Sequence, residues 1–237
     1  MLPNVDPSSR PDPFDLDVVW RAERYQRWII DAFECDLGGE VLEIGAGVGA
    51  MTRWLAMRAR HVTALEPDGA SRSRIDRLHR PNVSTIGGRI EDLAAMSLVA
   101  DVAVLVNVLE HLDDDARALA AIHAALRPGG RVCILVPAHQ RLFGSLDEVY
   151  GHRRRYSSAR VGRLLARNGF TVERLRYLNP VGAAGWLVMG RILRRRTISP
   201  FAVTVAERVV VPASQALEAF GDPPFGQSVV AVGRRSE

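Results

Sequence analysis

From residue 40 onward five short apolar runs, VLEI (41–44), HVTAL (61–65), VSTI (83–86), DVAVLV (101–106) and RVCILV (131–136), alternate with segments whose apolar residues recur at helical spacing. Met51, Trp54 and Leu55 are one such set; Ala118, Leu119, Ile122 and Leu126 are another. No other feature narrows the fold as much. Strands separated by helices of this length form βαβ units, hence an α/β fold with a parallel sheet and helices on both faces. The strands are almost wholly apolar, as a sheet covered on both sides requires. Pro128-Gly129-Gly130 reads as a helix stop that launches the fifth strand.

The rest of the chain divides around that core. A polar loop (137–156) and a predicted helix (157–168) lead to a sixth strand, FTVERLRYL (170–178), opened by Gly169, and SVVAVGR (228–234) reads as a closing strand. A helix is predicted over 14–36, with Leu16, Val19, Trp28, Ile29, Ala32 and Phe33 available for its apolar stripe, preceded by a loose arm (1–13). The expected organisation is an N-terminal arm and helix (1–39), a core (40–178), an apolar-rich helical insertion (179–226) and a last strand (227–237).

At 237 residues, 47% hydrophobic and 24% charged, the composition excludes a disordered chain, a rod and a multi-pass membrane protein. No stretch reaches the roughly 18–20 uncharged apolar residues that span a bilayer. The opening MLPNVDPSSRPDPFD lacks the apolar core of a secretion signal. Cys35 and Cys133 stand in apolar contexts and read as reduced core residues, which points to the cytoplasm. Every basic residue apart from histidine is arginine. Residues 1–130 carry 14 arginines against 20 carboxylates, whereas residues 131–237 carry 17 against 7. The basic second half points to an anionic partner on that side.

The strongest local motif is Val41-Leu42-Glu43-Ile44-Gly45-Ala46-Gly47-Val48-Gly49-Ala50. A buried strand that runs into glycines and then a helix lets backbone approach a ligand closely at the carboxyl edge of the sheet. Gly45, Gly47 and Ala50 also satisfy the dinucleotide pattern G-x-G-x-x-G/A, so a nicotinamide cofactor remains open at this point. Glu66 ends the second strand, followed by Pro67, where a carboxylate can accept hydrogen bonds from two ribose hydroxyls. That pairing signals a nucleoside without naming it.

Glu43 ahead of the glycines, Val-Leu-Glu-His-Leu (108–112) and Leu-Arg-Pro-Gly-Gly (126–130) together resemble class I S-adenosylmethionine-dependent methyltransferases. Within that group the chain is similar to the small-molecule branch that includes the ubiquinone-pathway O-methyltransferases. The resemblance covers about residues 40–178 and returns at the last strand. It implies a Rossmann-like sheet of seven strands, mostly parallel, with the last antiparallel. It also implies that Gly45, Ala46, Gly47 and Gly49 line the methionine and ribose portions of S-adenosylmethionine, that Glu66 holds the ribose, and that Asn107 and Val108 face the methionine end. Relatives often place an acid after the third strand for the adenine amino group; here Arg89 stands there, leaving Ile90 (through its backbone), Glu91 or Asp92 as candidates. Arg24 or Tyr25 of the opening helix is a further candidate cofactor contact.

Transfer of a methyl group from a sulfonium needs donor and acceptor held in line, and an acid–base residue only where the acceptor must lose a proton. Glu110 and His111 follow the fourth strand and are the first candidates, with Tyr150 and Tyr156 as alternatives; the competing assignment has Glu110 and His111 only capping the next helix. In some similar ubiquinone-pathway enzymes an acid–acid–His group binds a divalent metal, but its first position here is Asn107, so a metal is possible and not favoured. The loop Tyr150-Gly151-His152-Arg153-Arg154-Arg155-Tyr156-Ser157 could fork arginines onto a phosphate or diphosphate, or could be a solvated loop paired to Asp147 or Glu148. Tyr177 and Trp186 complete the expected substrate contacts. A plain fold of this class joins its last two strands by a short hairpin, so 179–226 is expected to be a lid or a dimer surface.

The expectation is therefore a small, anionic acceptor with an apolar body, such as a prenyl diphosphate, or else a neutral or carboxylate natural-product intermediate methylated on oxygen. A nucleic-acid methyltransferase is disfavoured, because Asn107-Val108-Leu109-Glu110 lacks the prolines of the amino-methylating motif. A non-catalytic module working through its insertion, on a partner or a membrane surface, is the remaining rival. A monomer and a homodimer are both compatible with the sequence.

Overall fold

The computed structural model describes residues 20–236; the expected arm and the first part of the predicted opening helix lie outside them. The described part of that helix is α1 (Glu23–Ala32). Seven strands follow in one sheet: β1 (Glu40–Ile44), β2 (His61–Leu65), β3 (Val83–Ile86), β4 (Ala100–Val106), β5 (Leu126–Pro137), β6 (Phe170–Leu178) and β7 (Ser228–Arg235), in the spatial order β3-β2-β1-β4-β5-β7-β6. β7 runs antiparallel to both neighbours, β5 and β6, and the pairs among β1–β5 are parallel.

Side chains on a strand alternate between faces, and the two cores follow that rule. Ala103 and Leu105 of β4, with Val132, Ile134 and Val136 of β5, pack beneath α5 (Asp115–Ala125) and α7 (Ser158–Arg167). Val102 and Val104, with Cys133 and Leu135, pack on the other face with Trp28, Ile29, Ile30 and Ala32 of α1. Leu119, Ile122, Val161 and Leu165 are the buried residues that fix α5 and α7 on their side. Both cysteines are free; Cys133 is buried and Cys35 half-buried.

Two boundaries differ from the sequence reading. α1 ends at Ala32, short of 36. Pro128-Gly129-Gly130 lies inside β5, where the register with β4 jumps from Ala100–Leu126 to Val102–Arg131; Gly129 takes φ +74° there, so the tripeptide is an irregularity of the strand itself.

Because β7 runs backwards, the insertion between β6 and β7 leaves and returns at the edge where the parallel strands end. It consists of α8 (Pro180–Trp186), which runs on through a π-helical turn (Leu187–Ile192), then α9 (Pro200–Val205), a second π-helical turn (Ala206–Val210) and α10 (Val211–Glu218). Buried Asn179 clamps it: Oδ1 accepts from the Gly182 amide and Ser214 Oγ, and Nδ2 donates to Gln227 Oε1. Glu218 accepts from Arg176 at 2.6 Å and from the Asn179 amide at 2.8 Å. Glu207 reaches across to accept from the amides of Arg24 (2.7 Å) and Tyr25 (3.0 Å), tying the insertion to the first turn of α1.

Candidate active site

The loop after β1 is an open backbone surface. Gly45, Gly47 and Gly49 all take positive φ (69°, 54° and 85°), a region other residues enter only at a cost. At Gly45 a Cβ would stand 2.8 Å from the Val108 side chain, and at Gly47 it would meet nothing within 4 Å. The loop therefore closes against the end of β4 on one side and presents bare backbone to open space on the other. Glu66, 8% exposed at the end of β2, accepts from the Gly47 amide (Oε2, 2.8 Å) and the Asp68 amide (Oε1, 2.9 Å). Each oxygen keeps a lone pair for a ribose hydroxyl. Bare loop backbone and an oriented carboxylate fit a nucleoside-bearing cofactor.

Other expected cofactor residues divide around this loop. Asn107 is exposed at the end of β4 with φ +54°, and half-buried Val108 packs on Gly45. Glu43 lies buried under the loop, where it accepts from Thr52 Oγ1 at 2.6 Å. Burial, with the nearby Glu66 charge, pushes its pKa up to about 8 against the Thr52 hydrogen bond; it supports the loop from beneath. Ala46 is buried and Pro67 is exposed next to Glu66. Arg89 and Glu91 are exposed after β3, Ile90 turns its side chain into the core, and Asp92 is committed to the Arg89 amide at 2.8 Å. Arg24 departs from expectation: its side chain is exposed and its amide is held by Glu207 of the insertion. Tyr25 turns its hydroxyl to Ser228 and Asn179.

The second half of the site begins two residues past Val108 and is built from side chains distant in sequence. Asp147 in α6 (Ser145–Val149), wholly buried, is its hub. Its carboxylate accepts from His152 Nδ1 (2.8 Å), Arg155 Nε (2.8 Å), the Gly144 amide (2.9 Å) and Trp186 Nε1 (3.2 Å). Burial alone would raise this carboxyl; the hydrogen bonds from His152 and Arg155 and the Arg155 charge outweigh it and hold the pKa below the usual range. Arg155 is 3% exposed, donates to the Ala138 carbonyl and stacks over the Trp186 ring at 4.9 Å.

His152 donates Nδ1–H to Asp147, and its Nε2 lies 3.8 Å from Glu110 Oε1. Glu110 is fully buried, and neither of its oxygens finds a partner outside its own residue. Burial raises its pKa to about 8, against the opposing Arg155 charge, so at neutral pH it carries a proton. His111 packs edge-on to His152 at 5.0 Å and meets the Gly151 carbonyl through Nδ1. Burial and the His152 and Arg153 charges lower its pKa to about 4. It is neutral and weakly basic near pH 7. Ligand atoms of Glu110, His111 and His152 lie within 4.8 Å of one another and could hold a divalent ion. In such a site His152 would stand as the third ligand in place of Asn107.

Three sequence expectations change here. Tyr156 is fully buried, donates to the Leu109 carbonyl at 3.1 Å and lies 3.2 Å from Asp115; burial and Asp115 push its pKa far up, so it is a strut and not a base. The three arginines do not fork onto an open anion site. Arg155 is consumed by Asp147, Arg154 by the Leu112 carbonyl and Asp115, and Arg153 by Asp113. Tyr177 lies apart from the cluster, stacked on His139 at 4.6 Å with its hydroxyl near Ser158. Tyr150 and Trp186, in contrast, close over His152 and Arg155. The sequence reading weighed Asp147 only as an arginine partner. Its signal was an acid five residues ahead of the His152-Arg153-Arg154-Arg155-Tyr156 run.

Beyond β5, an apolar cavity of about 380 Å³ opens between His139, Leu142, Ala183, Ala184, Leu187 and Phe225, where the insertion meets the sheet edge.

Residues 19–175 match a family model described as a methyltransferase domain. A Mycolicibacterium smegmatis protein named "Probable S-adenosylmethionine-dependent methyltransferase" is 32% identical over 138 residues, covering 57% of this chain and 53% of that protein. A ubiquinone biosynthesis O-methyltransferase of Azotobacter vinelandii is 34% identical over 100 residues, 40% of this chain and 43% of its own. The chain thus spans about half the length of these curated relatives. In fold it is similar to the YcgJ protein of Bacillus subtilis (TM-score 0.61, 14% identity, 90% of this chain and 98% of that one). It is also similar to the N-methyltransferase NodS of Bradyrhizobium japonicum in complex with S-adenosyl-L-homocysteine (TM-score 0.56, 17% identity, 99% and 94%).

Proposed function

This chain belongs to the methyltransferase-domain family, the class I S-adenosylmethionine-dependent methyltransferases, and on that premise we propose that it methylates a hydroxyl oxygen of a small, largely apolar molecule, with His152 as the base. S-adenosylmethionine, when bound, supplies a methyl group whose leaving group is neutral and already activated. The open backbone of Gly45 and Gly47 admits the cofactor, Glu66 accepts from its ribose hydroxyls, and Asn107 with Val108 bounds its methionine end. Asp147 fixes the tautomer and orientation of His152, and Nε2 takes the proton that the acceptor hydroxyl gives up. Trp186 and Tyr150 screen that imidazole from water.

The observation that carries the reading is the 2.8 Å hydrogen bond from His152 Nδ1 to the wholly buried Asp147 carboxylate, beside the carboxyl end of β4. The engaged arginines give no support to an anionic head, so a neutral acceptor is preferred over a prenyl diphosphate. Turnover of tritiated methyl groups onto a panel of apolar phenols and alcohols tests it. His152→Gln should lower kcat on the order of 10²–10⁴-fold, the usual worth of a general base, and leave binding of S-adenosylhomocysteine unchanged. A His152→Gln protein that turns over normally would refute the assignment.

A second reading follows from the convergence of Glu110, His111 and His152. The two unpartnered, buried oxygens of Glu110 fit a divalent cation, which would lower the acceptor's pKa directly. Metal analysis of the purified protein, with turnover before and after chelation, separates the two readings.

A further inference from the structure

The insertion presents an apolar face that nothing among the described residues covers. Of the exposed large apolar side chains among the described residues, all but Met57 and Val99 lie between residues 187 and 225. They fall in register. Phe201, Val205 and Val209 recur every four residues along α9 and the following π-helical turn, and Leu217 and Phe220 extend the stripe along and just past α10. A four-residue repeat drifts around an α-helix of 3.6 residues per turn. The wider π-helical turn at Ala206–Val210 offsets that drift and keeps the stripe on one side. Leu187, Val188 and Ile192 form a matching stripe on the other arm of the insertion. Phe201 is 77% exposed and Phe220 93%, values far from the ordinary scatter of surface apolar residues.

The charge around this face is mainly positive, with Asp222 the exposed exception. Arg191, Arg194, Arg195, Arg196 and Arg208 are all exposed. Of the carboxylates on the same stretch, Glu207 is committed to the amides of α1 and Glu218 to Arg176 and Asn179, and Asp222 lies 3.8 Å from Arg174 and Arg176. No described helix is long and apolar enough to cross a membrane. Apolar stripes rimmed by arginine are the composition of segments that lie in the plane of a membrane interface. A twofold contact centred on the arginine cluster would set it against its own image, which favours a lipid surface as the occupant.

We propose that the 187–220 face docks on the surface of a bilayer containing anionic lipid, the aromatic and aliphatic side chains entering the headgroup boundary and the arginines pairing with lipid phosphates. Leu187 and Phe225 also line the 380 Å³ cavity, so docking turns the mouth of that cavity to the lipid phase. The docking itself does not depend on the methyltransferase reading.

Flotation of the whole chain with phosphatidylcholine vesicles, with and without about a third phosphatidylglycerol, tests the proposal. The expected result is partitioning at least about tenfold stronger with the anionic lipid and reversed by high salt. R194S/R195S/R196S should weaken it on the order of 100-fold, since each arginine near an anionic surface is worth roughly fivefold. F201S/F220S should abolish it. Circular dichroism and calorimetric binding of S-adenosylhomocysteine, both expected to match wild type, report the fold and the cofactor site separately, so failure to dock is distinguishable from failure of the enzymatic reading. No flotation, equal flotation with both vesicle types, or a dimer in sedimentation that F201S/F220S breaks would each overturn the proposal.

Discussion

The two halves of the site are made of different material. On the β1–β2 side the working surface is backbone: glycines at positive φ, amides fixed on Glu66, and empty space where a side chain would stand at Gly47. On the β4–β5 side it is packed polar side chains, with Asp147, Arg155 and Glu110 buried and His152 and Trp186 half-buried against them. The first half leaves backbone bare beside Gly47. The second is a buried network in which each member answers the others' charge, so its loss is felt in the fold as well as in the chemistry.

That contrast can be broken experimentally, and the largest effect of a single substitution is expected at Arg155. Removing one partner of a buried ion pair leaves the other charge uncompensated, which costs about 3–5 kcal/mol. Arg155→Met should therefore lower stability in chemical denaturation by that amount. A substitution of the exposed Arg89, on the other half, should leave the midpoint unchanged.

The next effect is one of pH. Glu43 and Glu110 have pKa values raised to about 8 in the fold, against about 4.3 for an unperturbed glutamate. The folded state therefore holds more protons than the unfolded state between those values, and stability falls as pH rises across that window. The contribution is complete below it and lost above about pH 8. Denaturation midpoints from pH 5 to 9 should show the decline, and Glu43→Gln should flatten it.

The smallest effect is expected at Tyr156. Its hydroxyl acts as a strut on the Leu109 carbonyl, so Tyr156→Phe should cost roughly 0.5–1.5 kcal/mol and leave kcat nearly unchanged. A loss of turnover on the scale of His152→Gln would instead make it part of the chemistry.

The same contrast governs what the sequence discloses. β2, β3 and β6 fall where the apolar runs place them, and the glycine loop with Glu66 is readable because each depends on contiguous residues. A strand followed by glycines has few other uses. The packed half depends on separations of about forty residues, Leu112 to Arg154 and Asp147 to Trp186 among them, and no local pattern announces which arginine meets which carboxylate. The run of Arg153, Arg154 and Arg155 looks like an anion fork in isolation. The structure spends all three on internal acceptors because Asp113, Asp115 and Asp147 converge on the same loop. The insertion is legible as an apolar-rich helical segment, but its clamps, Asn179 and Glu207, are not.

The most direct test of the account is a calorimetric titration of S-adenosylmethionine into wild type, Glu66→Ala and His152→Gln. Micromolar binding retained in His152→Gln and weakened at least about tenfold in Glu66→Ala, which loses the charged acceptor of the ribose hydroxyls, is the predicted result. Binding that survives Glu66→Ala intact, or is lost in His152→Gln, would contradict the division of the site into a backbone cradle for the cofactor and a side-chain network for the acceptor.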